Sequence, residues 1–335
     1  MTQHVYRPAW WIPGAHLRTI WGKLVPRDGG AASRVERWDT PDGDFLDIHR
    51  LDAPRDRPRL ILLHGLEGSP SSHYARSFVS EAARRGWAAD VVVFRSCGPE
   101  LNRTPRFYHS GETEDLDFVV RSLAAAEPER PLVLAGVSLG GNVLLKWLGE
   151  HSGKLPSQVV AAATVSVPYD LERGARHIDR GFARVYQARF LRTLRRKARA
   201  KLLRFPGLLS EQAIDHARTL YDFDDAVTAP VHGFRDAHDY YTRSSALGWI
   251  AGIRTPTLLL SARDDPFLPC TVLDEVASIA RENPCLSLEF VERGGHAGFI
   301  SGTLPWRPFY YAEWRATEFL ANRLAERVEG NRSTP

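Results

Sequence analysis

Cysteine is scarce in this 335-residue chain: Cys97, Cys270 and Cys285 are the whole supply, and none belongs to a C-x-x-C pair. An odd number of isolated thiols excludes a disulfide framework and a ribbon-type zinc site, and reads as free cysteine in a reducing compartment. Long apolar runs are lacking too. A bilayer span takes about 18–20 apolar residues, and the longest run, 159–167, has the length of a buried strand. The first eleven residues, Met1 to Trp11, show no basic stretch followed by an apolar one. No secretory leader is therefore expected, and the protein is expected to be soluble and cytoplasmic. Nor does one sign of charge dominate. Lys and Arg number 44 against 40 Asp and Glu, a net +4 that is too mild to imply a nucleic-acid partner. No 20–50-residue period recurs, which excludes a solenoid. The patterns G-x-x-x-x-G-K-[S/T], G-x-G-x-x-G and H-E-x-x-H are all absent, which removes phosphate-loop, dinucleotide and zincin chemistry.

What is present is an alternation. Short β-branched or Leu-rich runs at 59–64, 88–94, 131–137, Val159–Val165, 257–261 and Leu286–Val291 predict strands. Between them, helical periodicity predicts helices over 71–85, 113–126, Leu139–Glu150, 272–281 and 309–328. This is the α/β pattern of a mostly parallel central sheet flanked by helices. From about 168 to 248 the rhythm breaks. No buried-strand run occurs there, and Arg192, Arg195, Arg196, Lys197, Arg199, Lys201 and Arg204 crowd one stretch, interleaved with Phe190, Leu191, Leu194 and Leu202. The sheet pattern resumes afterwards, so the expectation is one domain over 1–335 with a helical cap inserted at roughly 168–248.

The sharpest motif is Gly136-Val137-Ser138-Leu139-Gly140, a G-x-S-x-G placed between a predicted strand and a predicted helix. A sharp strand-to-helix turn forces its serine into strained backbone and exposes the hydroxyl above the sheet; the flanking glycines remove the side chains that would clash. In this α/β-hydrolase arrangement a carboxylate and then a histidine follow in chain order. The strand after the insert runs into Asp264-Asp265, and the last strand leads to Gly294-Gly295-His296. Both elements deliver polar groups to the sheet edge that carries Ser138, where open α/β sheets bind ligands. His296 is the candidate base, Asp264 or Asp265 the acid. The backbone N–H of Leu139 and, from His64-Gly65-Leu66-Glu67-Gly68, that of Leu66 are the candidate oxyanion donors; His64 is expected to shape that loop. Two clusters imitate metal sites. His232, Asp236, His238 and Asp239 carry spacings that also arise on an exposed helix face, and His109, Glu112, Glu114 and Asp115 read as a helix N-terminus. No metal and no organic cofactor is expected.

Several further segments are not generic. Pro8-Ala-Trp-Trp-Ile-Pro-Gly-Ala-His-Leu-Arg-Thr-Ile-Trp21, His64-Gly-Leu-Glu-Gly-Ser69, Phe94-Arg-Ser-Cys-Gly98, Tyr108-His-Ser-Gly-Glu-Thr-Glu-Asp115 and Asp264-Asp-Pro-Phe267 together resemble the YheT-like family of α/β hydrolases, relatives of the eukaryotic abhydrolase-domain lipases. The resemblance runs over almost the whole chain and implies a Ser–Asp–His hydrolase of carboxylic esters, some relatives acting on phospholipids. In related chains the acid stands four residues before a proline. Asp265 does so relative to Pro269, which favours Asp265 and leaves Asp264 to bond backbone N–H groups. Arg18 stands where many relatives have Gln, outside the triad. The expected activity is hydrolysis of a small ester through an acyl-enzyme on Ser138. Lipase, phospholipase or acyltransferase action with the same triad is the alternative, and a non-catalytic binding protein on this scaffold is a further one. The basic insert either packs through its apolar stripe or rests on an anionic membrane surface.

Overall fold

A computed structural model of the chain describes residues 5–25 and 33–332. Residues 1–4, part of the stretch on which the absence of a leader was judged, lie outside them. Eight strands form one sheet: β1 (Arg34–Asp39), β2 (Phe45–Leu51), β3 (Arg59–Leu63), β4 (Ala88–Val93), β5 (Leu132–Val137), β6 (Val159–Val165), β7 (Thr257–Ala262) and β8 (Leu286–Val291). Their spatial order is β1-β2-β4-β3-β5-β6-β7-β8. β2 runs antiparallel to both neighbours, and every other pair is parallel.

The central strands are buried on both faces, as crossover helices require, so alternate residues feed two cores. Leu60 and Leu62 point to the side holding Phe78, Phe319 and Leu320. Ile61 and Leu63 point to the side holding Val119, Leu123, Leu144 and Leu148. The edge strand β1 and its neighbour β2 were not visible as strands in the sequence. β1 reads RVERWD and is largely exposed, so it has no continuous apolar run. Charge pairs across and beside it replace that signal, Arg37 with Asp47 at 2.8 Å and Arg50 with Glu36 at 2.6 Å.

Between β6 and β7 the described chain is helical. The main elements are Leu171–Ile178, Ala183–Arg204 and Ala237–Ser244, with shorter turns of helix between them. The basic helix Ala183–Arg204 packs through Ala183, Tyr186, Leu191 and Ala198. Lys201 is buried with them, and its ammonium donates to the carbonyls of Asn102 (2.9 Å) and Thr104. Burial lowers its pKa to about 8. That 102–104 loop is itself held by the buried Asp44, which accepts from Asn102 Nδ2, the Arg103 amide and Thr104 Oγ1 at 2.5–2.7 Å. No helix among the described residues is long and apolar enough to cross a membrane.

Candidate active site

Ser138 directly follows β5 and stands at the N-cap of the helix Leu139–Glu150 with φ 55° and ψ −122°. A non-glycine residue held there costs on the order of 1–3 kcal/mol, which the surrounding packing must supply. Gly140 makes the turn sterically feasible, since a Cβ on it would lie 2.5 Å from the carbonyl oxygens of Leu63 and His64. The serine hydroxyl thus sits at the positive end of a helix whose first N–H groups lack intrahelical partners.

His296 reaches the serine from the loop after β8, with Nε2 at 2.9 Å from Ser138 Oγ. Its other nitrogen, Nδ1, meets Asp265 Oδ2 at 2.8 Å and Oδ1 at 3.1 Å. The three side chains proposed from the sequence therefore form one continuous chain of hydrogen bonds. The two adjacent carboxylates divide their contacts. Asp265 Oδ1 also accepts the Phe267 amide at 2.8 Å. Asp264 does not brace its own turn; it reaches across to accept the amides of Gly294 and Gly295, at 2.7 and 2.8 Å, and so shapes the loop that carries His296. The His296 ring is stacked on Phe267, centroids 4.1 Å apart, and its amide donates to Thr19 Oγ1 at 2.9 Å.

The 64–68 loop faces the serine from β3. Buried His64 donates through Nδ1 to Gly65 O at 2.8 Å and accepts the Phe94 amide at Nε2; burial pushes its pKa down to about 4, so the ring stays neutral. The Gly65 amide donates to Tyr74 Oη and the Glu67 amide to Tyr108 Oη. The intervening Leu66 N–H has no protein acceptor among the described residues. Leu66, Leu139, Ser138 and His296 all line one cavity of about 980 Å³ between the sheet edge and the helical segment.

Two sets of contacts at this site went unread in the sequence. Arg18, set apart from the chemistry there, lies buried 3.3 Å from Asp264 Oδ2. Lys197 of the helix Ala183–Arg204 puts its ammonium 2.6 Å from Glu67 Oε1 and 3.5 Å from Cys97 Sγ. Burial pushes the Cys97 thiol up to about 11. Glu67 and Lys197 each stood in a segment the sequence marked out, but nothing local couples residues 130 positions apart.

The two metal-like clusters are rearranged. Asp236 caps the helix Ala237–Ser244 and exposed His238 pairs with Glu172. His232 instead packs on His109, centroids 4.5 Å apart, with Glu112 close by, and ligand atoms of the three lie within 4.8 Å of one another. This trio was not anticipated. Two of its three members are already engaged: Glu112 accepts Arg106 Nη2 at 2.6 Å, and His109 Nδ1 accepts the Gly111 amide, which leaves the proton on Nε2. Burial, then the neighbouring charges, hold His109 well below its ordinary pKa and His232 at about 3. Burial and the Asp115 carboxylate push Glu112 up to about 7. The arrangement is that of neutral rings beside a guanidinium.

The sequence profile of the alpha/beta hydrolase fold matches residues 58–303. The chain belongs to this family. It is 40% identical to YheT of Escherichia coli (strain K12) over 92% of this chain and 91% of that protein. Phospholipase ABHD3 of Mus musculus is 28% identical over 90% of this chain and 74% of its own length. Among solved structures, the esterase Pf2001 of Pyrococcus furiosus superposes with a TM-score of 0.56 at 18% identity, covering 89% of this chain and 95% of that one. At that identity the likeness concerns the fold alone.

Proposed function

We propose that this α/β hydrolase is a serine carboxylic-ester hydrolase that works through an acyl-enzyme on Ser138. The observation that carries the reading is the Ser138–His296–Asp265 chain of hydrogen bonds at 2.9 and 2.8 Å. Ser138 Oγ attacks the ester carbonyl while His296 Nε2 takes its proton; the same nitrogen then gives that proton to the departing alcohol. Asp265 holds Nδ1–H, fixes the tautomer and stabilises the imidazolium. The developing oxyanion is received by the Leu139 and Leu66 N–H groups, one donor of this kind contributing about 3–4 kcal/mol. Water, activated by His296, repeats the sequence and releases the acid. The helical segment between β6 and β7 serves as a cap that shapes the substrate cavity. Its Leu171, Ile178, Phe223 and Val227 line that cavity and support an apolar acyl chain, as does the kinship with a protein named as a phospholipase.

Ser138→Ala is expected to lower kcat on a p-nitrophenyl ester by about 10⁴–10⁶-fold while leaving the thermal midpoint in place. A variant that keeps wild-type turnover would exclude Ser138 as the nucleophile.

A further inference from the structure

The cavity beside Ser138 is chemically lopsided. One wall, from the helices Leu171–Ile178 and Leu220–Phe223 and the turn after them, is apolar, with Leu171, Ile178, Phe223 and Val227 buried in it. An adjoining part of the lining is made where three elements meet: the amino-terminal helix Gly14–Leu24, the helix His73–Arg84 and the basic helix Ala183–Arg204. They are in contact. A Cβ on Gly22 would lie 2.4 Å from the His73 ring, and His16 Nδ1 is 3.3 Å from Tyr186 Oη. Each element sends cations to the cavity: Lys23 from the first, Arg76 from the second, Arg189, Arg196 and Lys197 from the third.

These five positive charges face two carboxylates in the lining, Glu67 and Asp224. Glu67 is occupied by Lys197 at 2.6 Å. Asp224 is buried in the apolar wall, hydrogen-bonded by Thr228 and Tyr241, with its pKa pushed up to about 6 by burial. Lys23, Arg76, Arg189 and Arg196 are left with no carboxylate in ion-pair distance among the described residues. Other arginines of the same basic helix are not left so: Arg184 reaches Asp179 at 3.7 Å and Arg199 reaches Asp215. Arg189 and Arg196 stand seven residues apart, two turns along one helix face. Lys23 feels Arg189 closely enough that this charge, after partial desolvation, lowers its pKa. Cations gathered without counterions repel one another, and a ligand anion would relieve that repulsion.

We infer that this wall is an anion subsite, and that the ester taken by the cavity has an apolar acyl chain and an alcohol part bearing a phosphate or carboxylate. The inference rests on the hydrolase reading above and names the substrate class for it. The acyl chain lies against the wall of Leu171, Ile178, Phe223 and Val227, the carbonyl sits at Ser138, and the anion meets Arg76, Arg189 and Arg196.

The test compares two soluble esters with one acyl chain, octanoylglycerol and octanoylglycerol phosphate, by octanoate release from wild type and Arg189→Gln/Arg196→Gln. The ratio of kcat/KM for the phosphate ester over the neutral one is expected to fall on the order of tenfold in the double variant and to fall in wild type as salt is raised. A ratio that the variant does not move overturns the subsite. A wild type that hydrolyses neither ester speaks against the hydrolase reading instead. In that case calorimetric binding of decyl phosphate decides the subsite, because weaker binding by the variant supports it and equal binding overturns it. Retention on phosphatidylglycerol vesicles that the variant abolishes, with an unmoved ester ratio, overturns it in favour of a membrane-facing patch.

Discussion

The sheet edge and the helical insert border the same cavity, yet they hold their polar groups in different ways. At the sheet edge each functional side chain is fixed from more than one direction. His296 is bonded through Nδ1 to Asp265, through its amide to Thr19, and lies stacked on Phe267. The insert contributes long cationic side chains on exposed helix faces, several with no fixed partner. Chemistry at a carbonyl needs groups held within a fraction of an ångström, while attraction of a charged group tolerates mobile side chains. The division of labour follows from how each wall is constrained.

The largest way to break this comparison is at the sheet edge. Asp265→Asn should lower kcat about 10⁴-fold, because an amide at Nδ1 favours the wrong tautomer. Asp264→Asn should cost far less, since Asp264 acts on the loop amides of Gly294 and Gly295 and not on the ring. Steady-state kinetics of the two variants separates them, and equal losses would erase the distinction between the neighbours.

Across the boundary the expected effect is smaller. Lys197 ties the insert to Glu67, whose neighbour Leu66 offers the free N–H. Lys197→Met should reduce kcat by about tenfold with little change in KM, a partial loss of a preorganised donor. Lys197→Arg should restore most of it, which loss of folding alone would not do. A KM effect without a kcat effect would move Lys197 from positioning to substrate binding.

The smallest effect concerns stability. Burial alone would raise the Asp44 pKa, but hydrogen bonds from Asn102, Thr104 and the Arg103 and Thr104 amides hold it well below the usual carboxylate range. The folded protein therefore releases this proton where the unfolded chain, near 3.9, still keeps it. The stabilisation is fully present above about pH 4 and is lost as pH falls below that. Urea midpoints at pH 6 and pH 3 should differ less for Asp44→Asn than for wild type. An identical difference would show that Asp44 does not contribute to acid sensitivity.

The legible parts of the molecule are those written in contiguous residues. The strands β3 to β8 show as apolar runs, and the turn at Ser138 shows as glycines at fixed offsets, because steric demands act over five residues. β1 escaped because an exposed edge strand carries charge pairs in place of an apolar pattern, and β2 because Asp47, His49 and Arg50 interrupt its apolar residues. The pairs Lys197–Glu67 and Arg18–Asp264, and the meeting of His109 with His232, escaped for another reason. They join segments separated by more than a hundred residues, and nothing in the local spacing of either partner encodes the other.

Arg18 and Thr19 carry one more consequence. The family profile begins at residue 58, so a fragment trimmed to 58–303 would keep Ser138, Asp265 and His296. It would nonetheless lose the guanidinium beside Asp264 and the hydroxyl that receives the His296 amide. Under the proposed mechanism, a fragment limited to the span that defines the kinship is expected to hold the His296 loop less firmly than the full chain and to hydrolyse esters more slowly.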